Sequence, residues 1–153
     1  MTTPEQRIAH LGLTLPPVPA PVAAYIPSVR TGAHIYTSGQ LPMVDGALQV
    51  TGKVGAEVSA EQAKELARTA ALNAIAAVRA EVGELSAVRR VVKVVGYVAS
   101  APGFTGQPGV VNGASELIGD VFGDAGKHAR SAVGVAVLPL DAPVEIELIV
   151  EVG

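Results

Sequence analysis

Residues 144–151, near the end of the chain, constrain the fold most, because acidic and apolar residues alternate along them. Successive side chains of a β-strand point to opposite faces of its sheet, so this alternation predicts a half-buried strand. One face would carry the large aliphatic side chains of Ile146 and Leu148. The other would carry the acids, which are Glu145, Glu147 and Glu151.

A second run of strand composition, residues 128–139, precedes this strand and contains Arg130 near its start. The sequence Pro-Leu-Asp-Ala-Pro joins the two runs, and we interpret them as strands that fold back about Asp141. Arg130 would then lie opposite residue 152, about seven residues, or about 20 Å, from Glu145. Unless the register differs, a site that contains both side chains would lie across a subunit boundary.

The composition describes one domain with an aliphatic core. Of the 153 residues, 49% are hydrophobic and 3% aromatic, so the core is expected to consist of Val, Ile, Leu and Ala. No run approaches the ~20 apolar residues that a membrane-spanning helix needs. We therefore expect a soluble protein with no membrane partner. So apolar a chain is also expected to bury surface in a homo-oligomer.

Several classes of protein and site are disfavoured. The chain has no cysteine, which excludes disulfides and a thiol nucleophile. Residues 1–6 lack the basic start and apolar segment of a secretory signal, so a cytoplasmic location is expected. The formal net charge of −3 argues against a nucleic-acid partner. The histidines lack metal-ligand spacing and no phosphate-binding glycine motif is present, so no metal or other cofactor is expected.

Helix and strand signals divide the first half of the chain into short elements. A helix is predicted over residues 4–12, and an extended stretch over residues 13–22, where Pro16, Pro17, Pro19 and Pro21 occur. Strands are predicted over residues 25–30 and 34–41. Asp45-Gly46 then predicts a tight hairpin within residues 43–48.

The second half begins with a long helix. Ser59 and Gln62 fit a capping box at its start, and Gly83 is expected to end it. A central strand over residues 91–99 and a Gly/Pro-rich loop lead to a second helix over residues 110–122. The fold class is therefore α+β: a mostly antiparallel sheet with two helices on one face. Its other face, expected to be rich in Val and Ile, would be covered by a homo-oligomer.

Two charged residues are the main candidates for chemistry. A guanidinium fixed at a strand entry binds a carboxylate through two parallel hydrogen bonds, and Arg130 is placed to do so. The alternative is a surface arginine paired with Asp124 or Glu151. Glu145 is the candidate acid/base that holds a water, and its alternative is a solvated acid on the open face of a strand.

Three further positions are candidates for lining the site, each with a structural alternative. Gly39 interrupts an apolar strand, where it marks either a β-bulge open to a ligand or a plain strand end. Asn112 either contacts the ligand or caps the second helix. Tyr25 faces either the ligand or the core.

Four stretches together resemble the RidA (YjgF/UK114) family. They are Gly32 with Tyr36-Thr37-Ser38-Gly39-Gln40-Leu41-Pro42, the strand at Val91-Val92-Lys93-Val94, the helix start at Val111-Asn112, and Ala129-Arg130-Ser131-Ala132-Val133 continuing to Val144-Glu145-Ile146-Glu147. The resemblance covers residues 22–152 and indicates a divergent, longer subgroup. It divides the chain into an N-terminal extension, residues 1–21, and a RidA-like domain, residues 22–153.

The resemblance implies a chorismate-mutase-like fold and a homotrimer with ligand clefts between subunits. It also implies hydrolytic deamination of reactive enamines and imines, such as 2-aminoacrylate, to 2-keto acids and ammonia. By position, Arg130 would bind the substrate carboxylate and Glu145 would position or activate the water. The residues that would line the cleft are Tyr25, Ser38, Gly39, Asn112 and Ala132.

Some positions depart from the deaminases that this family is known for. Ala132 stands where they often carry a cysteine, and His128 replaces the usual proline before Ala-Arg-Ser. Ser115 and Ile118-Gly119 replace aromatic residues of the second helix, and Pro27 stands where a glutamine is common. The loop at residues 103–109 is an addition. These changes alter the walls of the cleft and leave the candidate carboxylate-binding arginine in place.

Three functions are therefore compared. The first is the deaminase described above. The second is a trimer that binds small carboxylated ligands, for example 2-keto acids, without catalysis. The third is an endoribonuclease or translation inhibitor, against which the acidic net charge and the lack of a histidine-based acid/base pair both count.

Overall fold

The computed structural model describes residues 2–18 and 23–153. Its helices and strands follow one another in a mixed order that is typical of an α+β fold, as the sequence predicts. The helices are α1 (Pro4–His10), α2 (Ala60–Val82) and α3 (Gln107–Phe122). The strands are β1 (Ser28–Thr31), β2 (His34–Thr37), β3 (Met43–Val44), β4 (Ala47–Leu48), β5 (Val88–Ala99), β6 (Ala129–Val135) and β7 (Val144–Val152).

Five strands form the main sheet, in the order β1-β2-β7-β5-β6. All neighbours in this sheet are antiparallel except β5 and β6, which are parallel. The hairpin predicted at Asp45-Gly46 is confirmed, and it forms a separate two-stranded sheet from β3 and β4. Both residues of its turn have positive φ, as a tight hairpin turn requires. The mostly antiparallel α+β fold is confirmed.

Helix α2 begins and ends where the sequence predicts. The Ser59 hydroxyl accepts a hydrogen bond from the backbone N–H of Gln62 at 3.1 Å, which caps the helix start. Gly83, with φ of 85°, ends it. Between them, small side chains on one face are fully buried against α3 and β7. They are Ala63, Ala67, Ala70, Ala71 and Ala74.

Helices α2 and α3 approach each other closely at Gly113. A Cβ atom at this position would overlap the backbone carbonyl oxygen of Lys64 and lie 2.9 Å from its carbonyl carbon. Backbone atoms of a packed helix cannot move aside as a flexible side chain can. Glycine at position 113 therefore allows the close spacing of the two helices. That spacing in turn helps to position the side chains of α3 above the sheet.

The predicted hairpin between the last two long strands is wrong. Strand β6 pairs with β5, and β5 lies between β6 and β7. The reason is the connection that precedes β6: α3 crosses the face of the sheet and returns the chain parallel to β5, as in a β-α-β unit. The chain then passes β5 to reach its other side, where β7 pairs antiparallel to it.

The predicted strand ends differ at several places: β5 begins at Val88, not at residue 91, and β6 ends at Val135, not at residue 139. The first strand is Ser28–Thr31, not residues 25–30, and the second ends at Thr37, not at residue 41. Beyond Thr37 the backbone pairs with β7 again at Gln40. The N–H of Gln40 donates to the carbonyl oxygen of Ile146 at 2.8 Å, and the N–H of Ile146 donates to the carbonyl oxygen of Gln40 at 3.0 Å. Pairing with β7 thus resumes after an interruption, with the register shifted by one residue.

The two faces of the sheet have different chemistry. In β7 the residues Val144, Ile146, Leu148, Val150 and Val152 are buried under the helices, as the alternation predicts. The opposite face carries Val and Ile as expected, and it also carries the acids of β7, because period two places them there. It is mixed, with Glu145, Glu147 and Glu151 beside Val29, Tyr36 and Val133, which are each over 40% exposed in the single chain.

The first helix packs onto the rest of the chain. Ile8 is 3% exposed and belongs to the main core, and α1 contacts α3. The Arg7 guanidinium donates to the carbonyl oxygen of Val121 at 3.3 Å, and the Glu5 carboxylate accepts from the N–H of Leu85 at 2.9 Å. Pro19, Pro21 and the predicted boundary between residues 21 and 22 lie outside the described residues.

Within residues 2–18 and 23–153, no helix has both the length and the apolar composition needed to cross a membrane.

The glycine at position 113 gives a test of the helix spacing. Gly113→Ala is expected to destabilise the protein by about 1–3 kcal/mol, because the added methyl group must push α2 and α3 apart. Gly119→Ala is the matched control in the same helix, since a Cβ there meets no atom within 4 Å. It is expected to stabilise by about 0.5–1 kcal/mol, because alanine favours the helix. Urea denaturation at equal protein concentration measures both, and equal effects would contradict the packing described.

Candidate functional site

Arg130 lies on the edge strand β6, level with Val94 of β5 on the side of the sheet that the helices cover. Its guanidinium is held against α3 by three acceptors. Nη1 donates to Oδ1 of Asn112 at 2.7 Å and to Oγ of Ser115 at 3.3 Å, and Nη2 donates to the carbonyl oxygen of Pro108 at 3.4 Å. These bonds fix the orientation of a side chain that would otherwise be mobile.

None of the three acceptors carries a negative charge. Among the described residues, no carboxylate lies within 4.0 Å of the Arg130 guanidinium. The alternative pairings are wrong: Asp124 pairs with Lys127 at 3.3 Å, and Glu151 lies beside His34 on the other face of the sheet. The positive charge of Arg130 is therefore held in place and is not neutralised by the chain itself.

Asn112 does not cap α3. The helix begins at Gln107, so Asn112 lies in its second turn. Its side-chain oxygen accepts from Arg130 instead, which brings together two residues that the sequence assigns to one site. Ala132, two residues beyond Arg130 and on the same face of β6, is half-buried and packs against the core beside Gly96.

Two residues noted only as departures from the family pattern contact each other beside Arg130. The Nε2 atom of His128 lies 2.9 Å from Oγ of Ser115, and Nδ1 of His128 lies 2.6 Å from the carbonyl oxygen of Gly126. The sequence gives a partial signal for this contact, since His128 lies two residues before Arg130, and Ser115 lies one helical turn after Asn112. The partnership itself depends on how α3 is placed over β6.

Glu145 lies on the open face of β7, level with Tyr97. Its side chain packs against the backbone of Gly39, where an added Cβ would lie 2.7 Å from the carboxyl carbon of Glu145. Partial burial and, second, the negative charge of Glu147 raise the pKa of the Glu145 carboxyl. Glycine at position 39 thus makes room for a carboxylate that binds a proton more readily than usual.

Tyr97 was missed by the sequence analysis. Its hydroxyl donates to Oε1 of Glu147 at 3.1 Å. Burial raises the pKa of Tyr97, and the charge and hydrogen bond of Glu147 add to the effect, so the phenol stays protonated and keeps donating. The hydrogen-bond partner of a tyrosine in a central strand cannot be predicted until the register of that strand with β7 is known.

A bulge follows β2. The pairing of this segment with β7 passes from Ile149 to Ile146, so the three residues 37–39 oppose only two residues of β7. Within the bulge, the hydroxyl of Ser38 donates to the carbonyl oxygen of Ile26 at 2.6 Å. This bond ties the segment that contains Tyr25 to β2. Tyr25 is 43% exposed in the single chain, so it does not belong to the core.

The candidate residues therefore form two groups on opposite faces of the sheet. Arg130 and Asn112 lie on the helix side, whereas Glu145 and Gly39 lie on the open side. Two strand spacings and three residues along the strands separate the backbones of Arg130 and Glu145, a distance of about 14 Å. The separation is shorter than the hairpin implied, but one chain still does not bring the two side chains to one substrate.

Over residues 2–18 and 23–153, no three Asp, Glu or His side chains lie close enough together to hold a metal ion.

Comparison with known proteins agrees with the fold and with the residue pattern. The family model described as "YjgF/chorismate_mutase-like, putative endoribonuclease" matches residues 5–152. The chain belongs to the YjgF/RidA family. A curated relative, Protein TCP17 of Trypanosoma cruzi, is 43% identical over 148 residues, which cover 96% of this chain and 92% of that protein.

Two solved structures of relatives superpose on nearly the whole chain with TM-scores above 0.9, and a third matches less closely. A protein of unknown function from Agrobacterium tumefaciens is 48% identical, covers 98% of this chain and 92% of its own, and has a TM-score of 0.92. A Shewanella oneidensis protein named a "putative endoribonuclease" is 34% identical, covers 99% and 100%, and has a TM-score of 0.96. RidA from a Psychrobacter species is 28% identical, covers 88% and 94%, and has a TM-score of 0.61. The longer relatives thus match nearly the whole chain.

The coupling between the two acids gives a test of the Glu145 environment. An adjacent negative charge disfavours the ionised carboxylate, so Glu147→Gln is expected to lower the pKa of Glu145. Burial remains and should keep the pKa above its ordinary value. Carboxyl ¹³C NMR titration of Glu145 measures this, with Glu151→Gln as the control because that acid lies six residues farther along the same strand. An unchanged titration of Glu145 in Glu147→Gln would contradict the coupling.

Proposed function

We propose that the protein is a hydrolytic deaminase of small enamines and imines that carry a carboxylate, such as 2-aminoacrylate, and converts them to 2-keto acids and ammonia. The observation that carries this proposal is the guanidinium of Arg130, which neutral acceptors hold in place without neutralising it. Membership of the YjgF/RidA family and the position of Glu145 support it.

In this proposal Arg130 binds the substrate carboxylate. A guanidinium forms two parallel hydrogen bonds with a carboxylate, and these bonds are charge-assisted. Because Asn112 and Ser115 already fix the guanidinium, little side-chain entropy is lost when the substrate binds. The same bonds set the direction from which the substrate approaches, since they hold the guanidinium against α3.

Glu145 is the proposed general base. Its carboxylate takes a proton from a water molecule as the water oxygen bonds to the imine carbon. That proton passes to the nitrogen, which gives a carbinolamine; Glu145 then takes the hydroxyl proton and delivers it to the amino group, and the carbon–nitrogen bond breaks as the keto group forms and ammonia leaves. An enamine such as 2-aminoacrylate first becomes the imine by gaining a proton at its terminal carbon and losing one from nitrogen. A raised pKa makes Glu145 a stronger base than an ordinary glutamate. The raised pKa also means that, as the solution is acidified, Glu145 becomes protonated and inactive at a higher pH than an ordinary glutamate would.

The site is proposed to lie between subunits of a homotrimer. Arg130 and Glu145 face opposite sides of one sheet, so a substrate that contacts both must receive them from two chains. The open face carries exposed apolar side chains next to the acids, which a neighbouring subunit would cover. Strand β6, with Arg130, is an edge strand and can reach such a boundary.

The alternative is a trimer that binds 2-keto acids or similar ligands without catalysis. It shares the Arg130 site and differs in the role of Glu145. The raised pKa of Glu145 fits the general base that the catalytic proposal requires. The ribonuclease named in the family description is less well supported, since the net charge of −3 does not favour a polyanion.

The first test is deamination of 2-aminoacrylate, generated in situ by a serine/threonine dehydratase. The wild-type protein is expected to accelerate pyruvate release, and Arg130→Ala to lower kcat/KM by about 100-fold or more through loss of two charged hydrogen bonds. Arg30→Ala removes an exposed arginine of β1 and is the matched control, expected to keep wild-type rates. Folding is compared by circular dichroism. Acceleration retained by Arg130→Ala would refute the mechanism, and no acceleration by the wild type would favour the binding alternative.

The second test asks whether one site uses two chains. Arg130→Ala and Glu145→Gln are each expected to be inactive alone. After the two variants are unfolded, mixed in equal amounts and refolded, sites with both an intact arginine and an intact glutamate should form at random. Activity should then return to about a quarter of the wild-type level if each site draws one residue from each of two neighbours. Mixtures that stay inactive, while refolded wild type is active, would exclude a shared site.

A further inference from the structure

The side chains beside Arg130 form a directed chain of hydrogen bonds. The Gly126 carbonyl oxygen has no proton, so Nδ1 of His128 must be the donor in the 2.6 Å contact. In the neutral ring Nε2 then has no hydrogen, and it accepts the hydroxyl proton of Ser115 at 2.9 Å. The Ser115 oxygen in turn accepts from Nη1 of Arg130 at 3.3 Å.

Protonation of His128 would reverse one link of this chain. The imidazolium donates from both nitrogens, so Nε2–H would point at the Ser115 oxygen. That oxygen has two lone pairs and can accept from His128 and Arg130 together. Its own hydrogen is then released from His128 and can be donated to another acceptor. The nearest new acceptor would be an anion bound to the Arg130 guanidinium, because Nη1 of that group lies 3.3 Å from Oγ. Both hydrogens of Nη1 already have acceptors, so the anion would use the N–H groups of Nε and Nη2.

We propose that Ser115 and His128 belong to the anion-binding site of Arg130, with Ser115 as a ligand-contacting hydroxyl and His128 as the residue that turns it toward a bound carboxylate. The inference rests on the carboxylate-binding role proposed for Arg130. It does not depend on whether the bound molecule is then hydrolysed. His128 is a positioning residue in this scheme, since it acts through Ser115.

The charged groups around His128 are mainly positive. Arg130 follows it on β6, and Asp124 and Lys127 of the turn before β6 are both exposed and paired with each other at 3.3 Å. Lys93 of β5 lies level with Ala129, on the open side of the sheet. From α3, the residue that contacts His128 is the neutral Ser115. No acid among the described residues is within salt-bridge distance of His128, so a bound carboxylate would supply the negative charge that favours the imidazolium.

The consequence is that carboxylate binding takes up a proton. A ligand that favours the protonated form of His128 must bind more tightly when that form predominates, since the two equilibria are linked. Histidines titrate in the range of pH 5 to 8, whereas a 2-keto acid stays ionised throughout it. Affinity for a small 2-keto acid should therefore rise as the pH falls across this range.

The experiment is an NMR titration of the full-length protein with pyruvate, at several values between about pH 5.5 and pH 8. The wild-type Kd is expected to be up to about tenfold lower at the acidic end, because the imidazolium would bind more favourably beside the carboxylate than the neutral ring does. His128→Gln keeps an acceptor for Ser115 but cannot titrate. In a Glu145→Gln background, which removes the other titrating carboxyl proposed for this cleft, His128→Gln should bind pyruvate with a Kd close to that of Glu145→Gln alone at pH 8, and with no pH dependence.

Two further variants separate the positioning role from a structural one. In the same Glu145→Gln background, Ser115→Ala should lose the pH dependence because the link between His128 and the ligand is missing, and Ser115→Thr should restore it by restoring the hydroxyl. His10→Gln changes an exposed histidine at the end of α1 and should follow the wild type. A thermal melt of each variant shows that it is folded.

The outcomes distinguish this inference from the proposed function. A pH dependence that survives in His128→Gln in the Glu145→Gln background, or a wild-type Kd that does not change with pH, would overturn the role of His128. Failure of pyruvate to bind the wild type would overturn the anion site as a whole. Pyruvate binding with the expected dependence, in a protein that does not deaminate 2-aminoacrylate, would support the inference and refute the deaminase.

Discussion

Strand β5 pairs with β6 in parallel and with β7 in antiparallel orientation, and these two pairings determine where the candidate site residues lie. The antiparallel partner, β7, brings Glu145 level with Tyr97 on the open face. The parallel partner, β6, can be reached only through a crossover, and the crossover is α3, which therefore lies directly above β6. Arg130 meets Asn112 for that reason. A hairpin of β6 with β7 would have required no helix at this edge, and the guanidinium would have lacked its supports.

Local signals in the sequence predict the helices, strands and turns well. They do not predict which strands pair when those strands are far apart in the sequence. Ser59 and Gly83 mark the ends of α2, and Asp45-Gly46 marks a turn, because each depends on a few adjacent residues. The alternation in β7 assigns its faces because the period of a strand is fixed. The position of β6 depends on a connection of many residues, and no local pattern encodes which edge of β5 it joins.

The site was predictable to the extent that it follows a family pattern. Arg130, Asn112, Gly39 and Glu145 were named from the sequence, and the structure pairs Arg130 with Asn112 and Glu145 with Gly39. Tyr97 was missed, because its relation to Glu147 exists only through the register of β5 against β7. His128 was visible only as a departure from the pattern. A residue that departs from the family pattern cannot be assigned a chemical role until the residues that contact it in the structure are known.

The contact between Ser115 and His128 has a consequence for how these two positions vary among relatives. The two residues come from different elements, yet each satisfies a hydrogen bond of the other in a half-buried place. A change at either position alone would leave the remaining polar group without its partner. Substitutions at the two positions are therefore expected to be coupled in this family. Natural variation at one should be accompanied by variation at the other.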